Sequence, residues 1–181
     1  VAPQDPNIVY ALLATGGDAT YGVFRSNDAG STWEPWSPVN SVTFNPGGQQ
    51  ANYDHCIAVD PANPDRVFVG GQLEVWAGGD NLGWDMVAYW APNTPTNPYY
   101  VHADMHRIVF DPNDPNIVYI TTDGGVSKSV NAGQQYPTFT TRNQGYTTTQ
   151  YYHLDAGSKG KVIGGMQDNG TYYTNNDDAQ N

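Results

Sequence analysis

Cysteine is almost absent. Cys56 stands alone, which excludes an internal disulfide and any zinc site built from several thiolates. Its default role is that of a small buried apolar side chain. No run of 18 apolar residues occurs, so no membrane insertion through an apolar helix is expected. Positive charge is scarce too. Seven Lys and Arg face 18 Asp and Glu, a formal charge of −11. Such a chain repels phosphate backbones, and nucleic acid is set aside as a partner. Strong helix formers are few and charged residues reach only 14 %, which argues against a helical bundle. Aromatics at 13 % argue against disorder. No signal peptide opens the chain, and Val1-Ala2-Pro3-Gln4 reads as a start inside a longer protein.

What the chain has is turns. Among 181 residues are 20 Gly and 13 Pro, a composition that suits an all-β fold of many short strands. The length allows one domain. Internal repetition organises it. Ala2-Pro3-Gln4-Asp5-Pro6-Asn7-Ile8-Val9-Tyr10 returns as Asp60-Pro61-Ala62-Asn63-Pro64-Asp65-Arg66-Val67-Phe68. It returns again as Asp111-Pro112-Asn113-Asp114-Pro115-Asn116-Ile117-Val118-Tyr119, and more weakly from Asp155 to Ile163. The starts at 2, 60, 111 and 155 are spaced 58, 51 and 44 residues apart. Those steps bracket the period of roughly 40 to 50 residues of a four-stranded propeller blade.

Each copy has one internal order. An alternating strand comes first, such as His106-Arg107-Ile108-Val109-Phe110 or His55-Cys56-Ile57-Ala58-Val59. The Pro/Asn/Asp tract then turns the chain, because Pro presets φ and Asn or Asp bonds its own backbone. A β-branched second strand follows, and a Gly-bearing turn such as Asp123-Gly124-Gly125 or Asp168-Asn169-Gly170 leads to a third. The units fall at about 1–40, 51–91, 101–142 and 146–175. Strands tally three, four, four and three, because unit one lacks an inner strand and unit four an outer one. The expected fold is an all-β propeller segment of about three and a half blades.

After the third strand of unit one comes Ser26-Asn27-Asp28-Ala29-Gly30-Ser31-Thr32-Trp33. This string resembles the Asp-box of the bacterial neuraminidase repeat, found in sialidases, xyloglucan-degrading endoglucanases and sortilin-type receptors. The copy in unit three is Ser129-Val130-Asn131-Ala132-Gly133-Gln134-Gln135-Tyr136, and in unit two only Asp80 and Trp84 remain. Physically the box is a hairpin turn. Its carboxylate accepts several backbone N–H bonds, Gly supplies a positive φ, and Trp33 covers the hairpin. The resemblance places it at the blade periphery, so Ser26, Asp28, Gly30, Thr32 and Trp33 are structural residues.

A ligand face is expected where the first strands begin and the second-to-third turns lie. It would carry the string Tyr53-Asp54-His55 together with His102, Asp104, His106, Asp123, Asp168 and Asn169. His102, Asp104 and His106 at i, i+2 and i+4 of a strand would point to one side. Two imidazoles and a carboxylate there make weak candidates for a divalent cation; the expectation is no cofactor. Asp123 and Asp168, in equivalent turns, are the candidates for paired acid and base work. Trp76, Trp84, Trp90, Tyr99, Tyr100, Tyr146, Tyr151 and Tyr152 can stack on sugars, though packing between blades is their ordinary use. The Pro/Asn/Thr insertion from Trp90 to Tyr100 belongs on the same face.

The leading expectation is a secreted or cell-surface propeller module that binds a glycan or protein without chemistry of its own. The alternatives are a glycoside hydrolase with a carboxylate pair and a structural module of an extracellular assembly. Further blades of the same propeller, or copies of the chain itself, are expected to cover its apolar blade faces.

Overall fold

The computed structural model describes residues 1–79, 81–91, 96–145, 150–157, 160–167 and 170–174. They form two compact units, Val1–Asn143 and Gln144–Asn181. The first unit holds three antiparallel sheets, each in simple sequence order. The first sheet is β1 (Val9–Ala14), β2 (Thr20–Ser26) and β3 (Glu34–Pro35). One helical turn, α1 (Ala51–Asp54), leads into the second sheet. That sheet is β4 (Cys56–Asp60), β5 (Asn63–Gly70), β6 (Glu74–Gly79) and β7 (Gly83–Tyr89). The third is β8 (Met105–Phe110), β9 (Val118–Thr122), β10 (Gly125–Ser129) and β11 (Thr140–Thr141). The second unit is one sheet, β12 (Tyr151–Ala156), β13 (Val162–Met166) and β14 (Thr171–Thr174). The strands of the described residues therefore follow the tally read from the repeat, and each sheet is a propeller blade.

Alternation along β5 shows what holds the first unit together. Val67 and Val69 join Tyr10, Val23, Trp36 and Phe44 in one buried cluster. Phe68, between them, joins Met105, Ile108, Val118 and Ile120 in another. Strand side chains alternate sides, so the middle blade buries both of its faces, one on each neighbour. Phe68 is fully buried; truncation to Ala at such a site costs about 3 to 5 kcal/mol.

Two arginines stitch the blades. Arg25 bonds Asp65 at 2.6 Å and lies 4.3 Å over the Trp36 ring. Arg66 stacks on Phe68 and donates to the carbonyls of Ala132 (2.6 Å) and Gln134 (2.7 Å), with Asp60 3.4 Å away. A backbone relay crosses the unit at the other end of the strands. Gln72 N–H donates to Pro46 O (2.8 Å), Asp104 N–H to Gln72 O (2.8 Å), and Asp123 N–H to Asp104 O (3.1 Å).

The far-end turns repeat atom for atom. Asn7 N–H bonds Asp5 Oδ1 and Asn116 N–H bonds Asp114 Oδ1, both at 2.9 Å. The carbonyls of Asn7 and Asn116 then accept from Ala29 and Ala132, again both at 2.9 Å. In the first turn Asp28 Oδ1 accepts from Ser26 Oγ (2.7 Å) and Thr32 N–H (2.8 Å), and Oδ2 accepts from Thr32 Oγ1 (2.7 Å). Gly30 sits at φ +94, and Trp33 Nε1 donates to its carbonyl. In the third blade Asn131 Oδ1 accepts from Ser129 Oγ and from Thr138 N–H, both at 2.9 Å. Thr138 takes the place of Thr32, three residues later in the turn. Trp84, read as a remnant of the box in the second blade, instead donates from Nε1 to Trp36 O and packs on Phe44. Asp80 lies outside the described residues.

Candidate functional site

The start of β8 and the β9–β10 turn meet at one end of the third blade, and α1 comes against β8 from the second. That meeting builds the site. The β8–β9 pairing slips between Met105 and Arg107, leaving His106 as the extra residue of a bulge. A bulge re-aims the side chain it carries. His106 Nε2 accordingly reaches Asp123 Oδ1 at 2.6 Å. An ionised carboxylate only accepts, so the imidazole proton belongs on Nε2. Tyr53, 63 % exposed, sets its ring edge-on to His106 with centroids 5.2 Å apart.

Asp104 adopts φ +58, the left-handed region that costs a non-glycine residue about 1 kcal/mol or more. The relay through Gln72 and Asp123 holds it there. Asp54 completes the group from α1, and its residue is fully buried. No N–H or O–H group donates to either Asp54 oxygen. The neighbouring group that interacts with it is the Asp104 carboxyl. Burial above all, and then the Asp104 charge, push the Asp54 carboxyl from the ordinary 3.8 up to about 6, while His106 pulls it down. A carboxyl that keeps its proton near pH 6 can donate a hydrogen bond or a proton.

The structure brings Asp104, His106 and Asp123 together and gives His55 and His102 other partners. His55 is at the same end but half-buried, its Nε2 sharing a 2.7 Å hydrogen bond with the Thr20 hydroxyl, which itself accepts from Gly47 N–H. Burial lowers its pKa to about 4. His102 bonds Ala103 O at 3.1 Å through Nδ1, and its ring lies so close to Gly124 that a Cβ there would collide. It lines a cleft of about 190 Å³ with Thr122, Ser127 and Asn143. Strand alternation does not align His102, Asp104 and His106, because β8 starts only at Met105 and the turn at Asp104 and the bulge at His106 break the period. Among the described residues no three His, Cys, Asp or Glu side chains are placed to hold one metal ion. Asp168, Asn169 and Tyr146 lie outside the described residues, as do residues 92–95 of the insertion. Trp76 packs against Phe44, as blade packing requires.

Asp54 lies in the Tyr53-Asp54-His55 string that the sequence puts on this face, but the sequence gives it no role of its own. Under the 51-residue offset that aligns His55 with His106, Asp54 aligns with Met105. Met105 is fully buried. A carboxylate at a position the next blade fills with a core methionine is the signal that marks it.

No protein-family model matches the chain, and no curated protein matches it. Solved structures do. The GH74 enzyme of Niastella koreensis superposes with a TM-score of 0.59 at 21 % identity, over 98 % of this chain and 28 % of its own. The GH74 xyloglucanase of Xanthomonas campestris gives 0.58 at 19 % identity, over 99 % of this chain and 29 % of its own. The likeness shows the fold, a β-propeller, of which this chain spans under a third of either protein's length.

Proposed function

We propose that this chain is a non-catalytic module of a propeller that binds a glycan on the face carrying Asp104, His106, Asp123 and Tyr53. One observation carries the reading: carboxylates and an imidazole converge beside an exposed aromatic ring at the blade end. Carboxylate oxygens accept from the paired hydroxyls of a sugar, and a tyrosine ring offers an apolar surface to its C–H face. The superposition on a xyloglucanase supports a glycan ahead of a protein ligand. An exported location belongs to the same proposal, supported by few Lys and abundant Asn, Thr, Tyr and Gly. So does the Asp-box class, supported by the bonds around Asp28. Exposed Tyr152, Leu154 and Tyr172 on β12 and β14 support contact with further blades or with a second copy.

A second reading, a glycoside hydrolase, has its own support in the proton that Asp54 keeps beside Asp104 and Asp123. Incubation with xyloglucan, β-glucans and sialosides separates the two. Binding on a glycan array without release of reducing sugar is the expected result. Release that disappears in Asp54→Asn and Asp123→Asn would establish the hydrolase instead. A failure of both assays leaves a structural module.

A further inference from the structure

The first blade differs from its neighbours along one edge. β5 and β9 each pair with an inner strand, β4 and β8, whereas β1 pairs with β2. Among the described residues no strand lies on the other edge of β1. Sheets guard such edges with charge, proline or shortness. The outer strands β3 and β11 are two residues long, and β3 is Glu34-Pro35. β1 is six residues, Val-Tyr-Ala-Leu-Leu-Ala, with no charge and no proline. An edge of that kind is a template for a further strand.

The repeat defines the strand that fits. Val9, Val67 and Val118 are equivalent positions. Val67 pairs with Val59 and Val118 with Phe110, and by the same count Val1 falls opposite Val9. Ala2 N–H donates to Ile8 O just as Asp111 N–H donates to Ile117 O, both at 2.9 Å. Pro3, Pro61 and Pro112, also equivalent, line one cleft of about 690 Å³ with Val1, Ile57 and Val59. The first blade thus enters that cleft as the others do, without their inner strand. A separate observation lies on β4. Ile108 of β8 is 5 % exposed, in a cluster with Cys56 of β4 and Phe68 of β5. Its equivalent Ile57 packs towards the first blade and stays half-buried.

We infer that the edge of β1 binds one extended polypeptide strand with an uncharged apolar centre, antiparallel to β1 and opposite Tyr10, Ala11 and Leu12. Main-chain bonds to β1 hold such a strand, and alternate side chains select it. Each inner strand sets a smaller residue opposite the aromatic of its partner, Ala58 on Phe68 and Val109 on Tyr119. The occupant is therefore a free strand with a small or β-branched residue opposite Tyr10, and not β1 of a second copy. This binding is separate from the glycan face, whose residues belong to the second and third blades.

The test adds a synthetic peptide copying residues 53–60, with Cys56→Ser, to the full isotope-labelled chain in solution NMR. We expect binding that slows exchange of alternate amides between Val9 and Ala14 at least about tenfold, since an antiparallel neighbour bonds every second residue. A scrambled peptide of the same composition should bind at least about tenfold more weakly. So should one of the peptides Ile57→Pro and Ala58→Pro, the one that loses the N–H turned towards β1. Every change is in the peptide, so the fold of the chain is untouched. Absence of binding overturns the inference, as does protection that falls on β4 or β8 instead of β1. Equal binding of the scrambled peptide overturns it too, leaving apolar adhesion. A chain that sediments as a dimer with β1 protected before peptide is added makes a second copy the occupant and overturns the free strand.

Discussion

Asp28 and Asp54 are one residue type at opposite ends of the strands of one unit, and they end in opposite states. Asp28 faces the Thr32 backbone N–H and the hydroxyls of Thr32 and Ser26, which in that order draw its pKa down to about 2. Asp54 is buried beside the Asp104 carboxyl, with no backbone N–H among the influences on it, and is driven up to about 6. Burial is the leading influence on Asp54, and the supply of N–H and O–H groups the leading one on Asp28. Where the chain provides donors, a carboxylate is a turn fastener; where burial prevails, the carboxyl holds a proton and becomes available for chemistry or recognition.

The largest effect on this contrast comes from Asp54→Asn. Because the folded pKa lies above the unfolded one, the stability linked to the proton is whole below about 3.8 and lost as pH rises through about 6. An amide cannot ionise, so the variant is expected to gain on the order of 2 kcal/mol at neutral pH and nothing at about pH 3.5. Urea denaturation at the two pH values checks both halves, and a loss at neutral pH would sink the account of Asp54. Next comes Asp28→Ala, which strips the acceptors from Ser26 and Thr32. It should lower the melting temperature, with Asp28→Asn retaining most of the stability because one carbonyl oxygen remains. Smaller again is the acid limb of the wild type. The Asp28 contribution is present above about 3.8 and disappears as pH falls through about 2. Proton uptake measured on unfolding, compared with Asp28→Asn, isolates it. The smallest effect is expected from Asn131→Asp. Ser129 Oγ, Thr138 N–H and Thr138 Oγ1 already point at Oδ1. A carboxylate there should melt within a few degrees of wild type, by differential scanning calorimetry.

Much of the fold was legible because blades advertise themselves twice, in the Asp-Pro-Asn turn and in alternating β-branched strands. The Asn7 and Asn116 turns show why the repeat survives: the same backbone bonds recur at the same lengths. The site was legible only by region. His106 and Asp123 were foreseeable as neighbours because the start of one strand and the turn after the next share an end. Asp54 was placed at the same end within Tyr53-Asp54-His55, but its interaction with Asp104 was not legible, because period counting assumes an unbroken strand. The left-handed turn at Asp104 and the bulge at His106 break it. His55 and His106 occupy equivalent repeat positions with different neighbours. Thr20 and Gly47 of the first blade enclose one, and solvent reaches the other.

The peptide relay from Pro46 through Gln72 and Asp104 to Asp123 has a consequence for how such a face diversifies. Gln72 and Asp104 are each bonded through both N–H and C=O, so each residue fixes the position of the next. The Asp104 backbone is thus held by the proline loop that runs between the first blade and the second. A substitution near Pro46 is expected to shift Asp104, and through it Asp123, while both keep their identity. The placement of these carboxyls can therefore change through the loops that span blades, with the carboxyls themselves unchanged.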